Sequence, residues 1–332
     1  MKAVVIGDGA WGTALALDLL ENGHEVVMWG AFPDYLEEMA AKRENVRFLR
    51  GVTLPAELHF EADPAKAVAG ASLAVLATPT QFLGGVLKRF AAVGIPAGLL
   101  VVDVAKGIES GTLRRISEMV AAEFGDRVRY AVLSGPSHAE EVSRRVPTLV
   151  TAASHDPATA LAVQRSFINE RFRVYTTDDV VGVELGGALK NVFAIAAGII
   201  DGMRLGDNPK AALMTRGISE LGRLGEKLGG RRETLSGLAG IGDLIVTCTS
   251  GHSRNRHVGE ELGRGKHLPE ILSEMGMVVA EGVATSESAY QLARRAGVET
   301  PLVDAVYSLL YQGRNVREVL HELMTRAPKA EF

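Results

Sequence analysis

Ala3-Val4-Val5-Ile6-Gly7-Asp8-Gly9-Ala10-Trp11-Gly12-Thr13-Ala14-Leu15 opens the chain with four apolar residues, a glycine-rich turn and the start of a helical apolar pattern that runs to residue 20. The apolar run reads as a buried parallel strand, and the turn is a G-x-G-x-x-G between strand and helix. Each glycine has a steric reason. Gly7 permits the tight turn, Gly9 lets backbone approach a pyrophosphate, and Gly12 lets helix and strand pack, while the helix N-terminus faces the negative charge. Asn22-Gly23 ends the helix and residues 24–29 form a second strand, which completes a βαβ unit.

Working outward, further apolar runs at residues 72–77, 99–104, 130–133, 148–153 and 172–177 alternate with helical material, the pattern of a doubly wound sheet. Three of these strands end in Thr78-Pro79-Thr80, Ala105-Lys106-Gly107 and Ser134-Gly135-Pro136-Ser137. Ligands in such sheets bind beyond the carboxyl ends of the strands, so these turns are expected to line one crevice, with Lys106 as a catalytic or anion-binding lysine. After the second strand come Gly30, Ala31, Phe32, Pro33 and Asp34, with neither an acid for a ribose 2′-hydroxyl nor an arginine for a 2′-phosphate in register. The expectation is a site that uses NAD or NADP with weak discrimination and a lean toward NAD, because no arginine is in register.

Asp178-Asp179 fits the N-cap of a long helix over residues 180–200, which divides the chain into a Rossmann-type α/β domain, 1–179, and an all-α domain, 180–332. That helix carries Val183-Glu184-Leu185-Gly186-Gly187-Ala188-Leu189-Lys190-Asn191, where Lys190 stands among apolar or small residues. The two glycines each cost a helix roughly 1 kcal/mol relative to alanine, which points to a close approach to its backbone. Helical periodicity continues over 211–228, 260–262, 268–275, 285–296, 303–311 and 316–323. Two loops are expected between these helices, at 240–244 and 250–257. The first reads as a turn around Asp243. The second offers a hydroxyl at Ser253, a guanidinium fork at Arg254 and an amide at Asn255, a set suited to phosphate. His252 and His257 have no ligand pattern around them, so no metal is expected.

The 332 residues carry a formal net charge of −4, a balance that does not favour nucleic acid or an anionic membrane as partner. Cys248 is the only cysteine, so no intramolecular disulfide can form, and a cytoplasmic location is expected. Met1-Lys2 leads directly into the first strand, with no leader expected. Glu184, Lys190 and Asn191 make residues 180–200 a buried helix rather than a membrane span.

Taken in order, Gly7 to Leu15, Ala105-Lys106-Gly107-Ile108, Ser134-Gly135-Pro136-Ser137, Glu184 to Asn191, Gly240-Ile241-Gly242-Asp243, Ser253-Arg254-Asn255-Arg256 and Glu281-Gly282 resemble the bacterial NAD(P)-dependent glycerol-3-phosphate dehydrogenases over nearly the whole chain. The resemblance implies hydride transfer between a nicotinamide and C2 of a three-carbon phosphate. The reaction would interconvert sn-glycerol 3-phosphate and dihydroxyacetone phosphate and supply the former for phospholipid synthesis. It implies Lys190 as general acid/base, and substrate contacts at Lys106, Gly135, Ser137, Lys190, Asp243, Thr247, Ser253, Arg254 and Asn255. Cofactor contacts are implied at Gly7, Gly9, Ala10, Trp11, Gly12, Lys106, Ala139, Arg254, Val279 and Glu281, and a cytoplasmic homodimer as the assembly. His138 replaces a common phenylalanine, and residues 282–285 depart from the usual Gly-Tyr-Arg.

Two other readings share the architecture: a reductase of another small hydroxy acid, and a non-catalytic dinucleotide sensor. The first leaves Ser253, Arg254 and Asn255 without a purpose. The second gives no reason for two lysines to converge on a nicotinamide pocket.

Overall fold

The structure is a computed structural model that describes residues 1–328, 330 and 331. Ten strands form, β1 Lys2–Ile6, β2 Glu25–Trp29, β3 Glu44–Asn45, β4 Leu49–Thr53, β5 Leu58–Glu61, β6 Leu73–Leu76, β7 Leu99–Asp103, β8 Val128–Ser134, β9 Thr148–Ala153 and β10 Phe172–Thr177. Eight of them build one sheet in the order β10-β9-β8-β7-β6-β1-β2-β5, and β3 pairs with β4 as a separate antiparallel hairpin. The large sheet is parallel except where β8 meets β9 antiparallel. Strand β5 was not expected. Its Leu-His-Phe-Glu is short, and as an edge strand only Leu58 is fully buried, so it carries no continuous apolar run.

Residues on β1 alternate between two cores. Ala3 and Val5 pack with Leu15, Leu19 and Val26 on one face, and Val4 and Ile6 pack with Leu83, Leu87 and Phe90 on the other. Side chains on a strand point to opposite faces in turn, and helices cover both faces here, so the four residues read as an unbroken apolar run.

After β10 the chain is helical. Asp179 caps the long helix Val180–Gly202, its carboxylate accepting from Gly182 N at 2.8 Å and from Arg231 N at 2.8 Å. By length and composition this helix could cross a membrane, but 89% of its most apolar window is buried inside the protein. It is the core of the second half, with Leu189, Val192, Phe193 and Ile195 in one cluster with Leu221, Leu244, Val258 and Ala289 from the surrounding helices. The close approach expected at its glycines is present. A Cβ on Gly186 would sit 2.5 Å from Ala239 O, and one on Gly187 2.7 Å from Ser134 Oγ.

The two expected loops are largely helical. A π-helical turn over Leu238–Gly242 runs into the helix Asp243–Thr249, and Ser253 caps the helix Arg254–Gly263 through a bond from Arg256 N at 3.2 Å. Glycines at 240 and 242 and the polar run 250–257 hid both helices, because packing against the long helix rather than local propensity holds them. Asp243 is therefore the first residue of a helix and not the apex of a turn.

Candidate active site

The carboxyl ends of β1, β6, β7 and β8 lie along one edge of the sheet, since these strands run parallel to one another. Residues 7–9, 78–80, 105–107 and 134–137 follow these ends, as the sequence predicts. Gly7 takes φ +130°, and a Cβ there would sit 2.7 Å from the Ala77 carbonyl group, whereas a Cβ on Gly9 would meet nothing within 4 Å. Gly12 presses on Gly7 O. The turn is thus closed toward the sheet and open toward the crevice at Gly9, which is the shape a pyrophosphate needs, and the helix Ala10–Glu21 starts beside it. Ala139, at the start of the short helix Ala139–Val142, packs in one apolar cluster with Ala14 and Leu49, and Trp11 lies against it. Lys190 projects from the long helix toward the same edge.

Lys190 is 6% exposed and Asp243 1% exposed. Lys190 Nζ donates to Asp243 Oδ1 at 2.6 Å and to Thr247 Oγ1 at 2.7 Å. Thr247 lies one turn past Asp243 on the same helix, and its hydroxyl donates a hydrogen bond to Asp243 O at 2.6 Å. Lys106 Nζ reaches the other oxygen, Asp243 Oδ2, at 2.6 Å, and also donates to Gly135 O at 3.0 Å and Ser137 Oγ at 3.3 Å. One carboxylate therefore holds two ammonium groups, one from each half of the chain.

The two lysines differ in what they have left. An ammonium has three N–H donors. All three of Lys106 are engaged by protein atoms, while Lys190 uses two and keeps one. Burial lowers Lys190 to about 8, with Lys106 adding to the effect and Asp243 opposing it. Burial works to raise the Asp243 carboxyl, but Lys106 and Lys190 together overcome it and hold it below its ordinary value.

A chain of amides ties this cluster to the phosphate-suited residues. Asn191 Nδ2 donates to Lys106 O at 3.0 Å, Asn255 Nδ2 donates to Asn191 Oδ1 at 2.9 Å, and Gly282 N donates to Asn255 Oδ1 at 2.8 Å. The sequence alone assigns Asn191 no role of its own. A buried amide beside the single lysine of an apolar helix was the feature that could have marked it. Arg254 makes neither a side-chain hydrogen bond nor an ion pair among the described residues; part of the residue is exposed, while burial of its guanidinium lowers its pKa against the attraction of Glu281 and Glu140. As the first residue of its helix it leaves N–H groups without intrahelical acceptors next to that free guanidinium. Ser253 Oγ is committed as acceptor to the helix cap, and its hydroxyl proton remains to donate.

Glu281 begins the helix Glu281–Ala296, and its Oε1 accepts from Thr80 N at 2.9 Å. Val279 lies half-buried two residues before it. Direct hydrogen bonds thus join Lys106, Gly135, Ser137, Lys190, Asp243 and Thr247, and Asn255 joins them through Asn191. Ser253, Arg254, Val279 and Glu281 are not bonded to that cluster.

The sequence patterns of the NAD-dependent glycerol-3-phosphate dehydrogenase N-terminus and C-terminus match residues 2–160 and 179–321. The NAD(P)+ glycerol-3-phosphate dehydrogenase of Geobacter sulfurreducens is 51% identical over 329 residues, covering 98% of this chain and 98% of that one. Its counterpart from Bacillus cytotoxicus is 49% identical over 332 residues, covering 99% and 97%. The crystal structure of the glycerol-3-phosphate dehydrogenase of Coxiella burnetii superposes with a TM-score of 0.93 at 38% identity, over 98% of this chain and 99% of that one. With a matching sheet edge, a matching helical half and relatives that run its full length, this chain belongs to the NAD-dependent glycerol-3-phosphate dehydrogenase family.

Proposed function

We propose that the protein interconverts sn-glycerol 3-phosphate and dihydroxyacetone phosphate with Lys190 as the general acid/base. The observation that carries this reading is the one N–H of a buried ammonium that no atom of the described residues takes, on a lysine lowered to about 8. Reduction of the ketone turns its oxygen into an alkoxide, and a donor with a value near neutrality is matched to give that oxygen its proton and to take it back in the reverse direction. Asp243 orients the donor and Thr247 fixes its height along the helix. Lys106, with its three donors engaged, serves as a fixed positive charge that polarises the carbonyl and lowers Lys190.

The nicotinamide, when bound, supplies or accepts the hydride. Gly7, Gly9, Ala10, Trp11 and Gly12 would hold the dinucleotide at the open face of the turn, and Lys106, Ala139, Arg254, Val279 and Glu281 would line its path toward Lys190. Gly135, Ser137, Lys106, Asp243 and Thr247 would surround the three-carbon substrate. Its phosphate would lie against Ser253, Arg254 and Asn255, where a free guanidinium and unpaired helix amides meet.

The division at residue 179 makes the first half the cofactor domain and the second the substrate domain, with Asp243 the bridge between them. A cytoplasmic homodimer supplying glycerol 3-phosphate for phospholipid synthesis is the assembly and role this activity fits. Oxidation of NADH or NADPH, followed by absorbance with dihydroxyacetone phosphate as the acceptor, tests the whole. Turnover with an unphosphorylated hydroxy-acid precursor but none with dihydroxyacetone phosphate would transfer the assignment to the other reductase reading, and no turnover with either would leave the sensor.

A further inference from the structure

Dinucleotide-binding sheets place the adenosine ribose over the carboxyl end of the second strand, where an acid accepts from its hydroxyls or an arginine meets a 2′-phosphate. Here β2 ends at Trp29 and continues into Gly30 and Ala31, neither of which carries a charge. The charge comes instead from the turn after the neighbouring strand β1. Asp8, between Gly7 and Gly9, directs its side chain over the end of β2, where Oδ2 lies 2.6 Å from the position of a Cβ on Gly30. A Cβ at position 30 would push this carboxylate out of its place over the strand end.

Asp8 is half-buried and neither of its carboxylate oxygens bonds to another residue; Oδ2 is buried without any partner among the described residues. A buried acceptor left unmatched costs free energy that an incoming donor recovers. Burial raises the Asp8 carboxyl, against a smaller lowering by its own backbone and by Arg47. The turn itself is rigid: Asn45 Nδ2 donates to Asp8 O at 2.9 Å and to Thr13 Oγ1 at 2.8 Å, and Tyr35 OH donates to Asn45 Oδ1 at 2.5 Å. The one cation acting on Asp8, Arg47, is committed elsewhere. Its guanidinium lies 4.0 Å from the Tyr35 ring centroid and pairs with Glu38 at 3.3 Å.

We propose that Asp8 reads the 2′ position of the adenosine ribose, its carboxylate accepting from the ribose hydroxyls of NAD(H) and repelling the 2′-phosphate of NADP(H), so that the enzyme prefers NAD(H). The inference rests on the dinucleotide reading of the glycine turn and replaces the weak discrimination expected from β2 alone.

The test is calorimetric titration of the full-length protein with ADP-ribose and with 2′-phospho-ADP-ribose. Neither fragment carries a nicotinamide, so the result does not depend on the hydride chemistry or on Lys190. The wild type is expected to bind ADP-ribose about tenfold or more tightly than its 2′-phosphorylated form, the scale of one charge-assisted contact. Asp8→Asn and Asp8→Ser should both bring that ratio close to one, chiefly by tightening the phosphorylated fragment. Two substitutions of different size guard against one that disturbs the turn, and unfolding curves identify it. A ratio unchanged in both variants overturns the proposal. So does a wild type that prefers the phosphorylated fragment and loses that preference in Arg47→Ala, which would assign the 2′ position to Arg47. If neither fragment binds the folded wild type, the dinucleotide reading falls and the role of Asp8 falls with it.

Discussion

Lys190 and Asp243 approach to 2.6 Å although they are 53 residues apart, and both are buried. The pair is not a simple salt bridge, because Asp243 shares its second oxygen with Lys106 at 2.6 Å. A carboxylate between two ammoniums stays charged and leaves a net positive site. That arrangement suits a reaction that generates an alkoxide and binds a phosphate.

Replacing Lys190 by alanine removes the only ammonium in this cluster with an uncommitted donor. The expected loss in kcat is about 10²–10⁴-fold with dihydroxyacetone phosphate, while NADH still binds. Retention of near-normal kcat in stopped-flow or steady-state assays would rule out Lys190 as the acid/base.

The pH dependence follows from the direction of the Lys190 shift. Reduction needs Lys190 protonated and oxidation needs it neutral, so kcat/KM for ketone reduction should fall as pH rises through about 8, and that for alcohol oxidation should rise there. Asp243 works to hold Lys190 up, so Asp243→Asn should move the midpoint of both limbs to lower pH in addition to lowering the rates. A midpoint that stays in place would show that the limb belongs to another group.

Arg254→Ala deletes a charge-assisted contact worth about 1.5–3 kcal/mol that only a phosphorylated ketone can make. Its kcat/KM should drop far more for dihydroxyacetone phosphate than for dihydroxyacetone. Equal losses for the two ketones would place Arg254 on the cofactor or the fold.

Glu220 offers a stability measurement away from the active site. It is buried, accepts from Leu302 N at 2.9 Å and Val303 N at 3.3 Å, and is raised by burial to about 7. A carboxyl whose folded value exceeds its unfolded value favours the fold while protonated, and that contribution disappears as pH rises from the unfolded value through the folded one. The wild type should therefore lose on the order of 3 kcal/mol through this group between about pH 4.5 and 7. Urea unfolding at pH 5 and pH 8 should show a smaller pH dependence in Glu220→Gln than in the wild type. Parallel behaviour of the two would mean that Glu220 keeps its ordinary value.

Much of the fold was legible because local rules agreed with the tertiary structure. Residues 3–15 encode a strand, a turn and a helix with glycines at fixed offsets, and the long helix announced itself by apolar spacing after an Asp179 cap that the structure contains. Where packing overrides local preference the reading failed. Asp243 sits between glycines that suggest a turn, yet contact with the long helix makes it the start of one, and the edge strand Leu58–Glu61 is too short to show a period.

The sequence by itself determined the glycine turn, the alternation of the seven long apolar strands with helices, the long helix and the two lysines, since each depends on residues close together in the chain. Which lysine keeps a donor was decided only by the tertiary structure. The answer depends on Asp243 and Thr247 arriving on one helix and Gly135 and Ser137 in the turn after β8, and hydrogen-bond saturation is a property of neighbours in space. The same holds at the other end of the crevice. Position 31 in the sequence carries no charge, and only the folding of β1 against β2 brings the Asp8 carboxylate over Gly30, because strands paired in parallel place their carboxyl-end turns side by side.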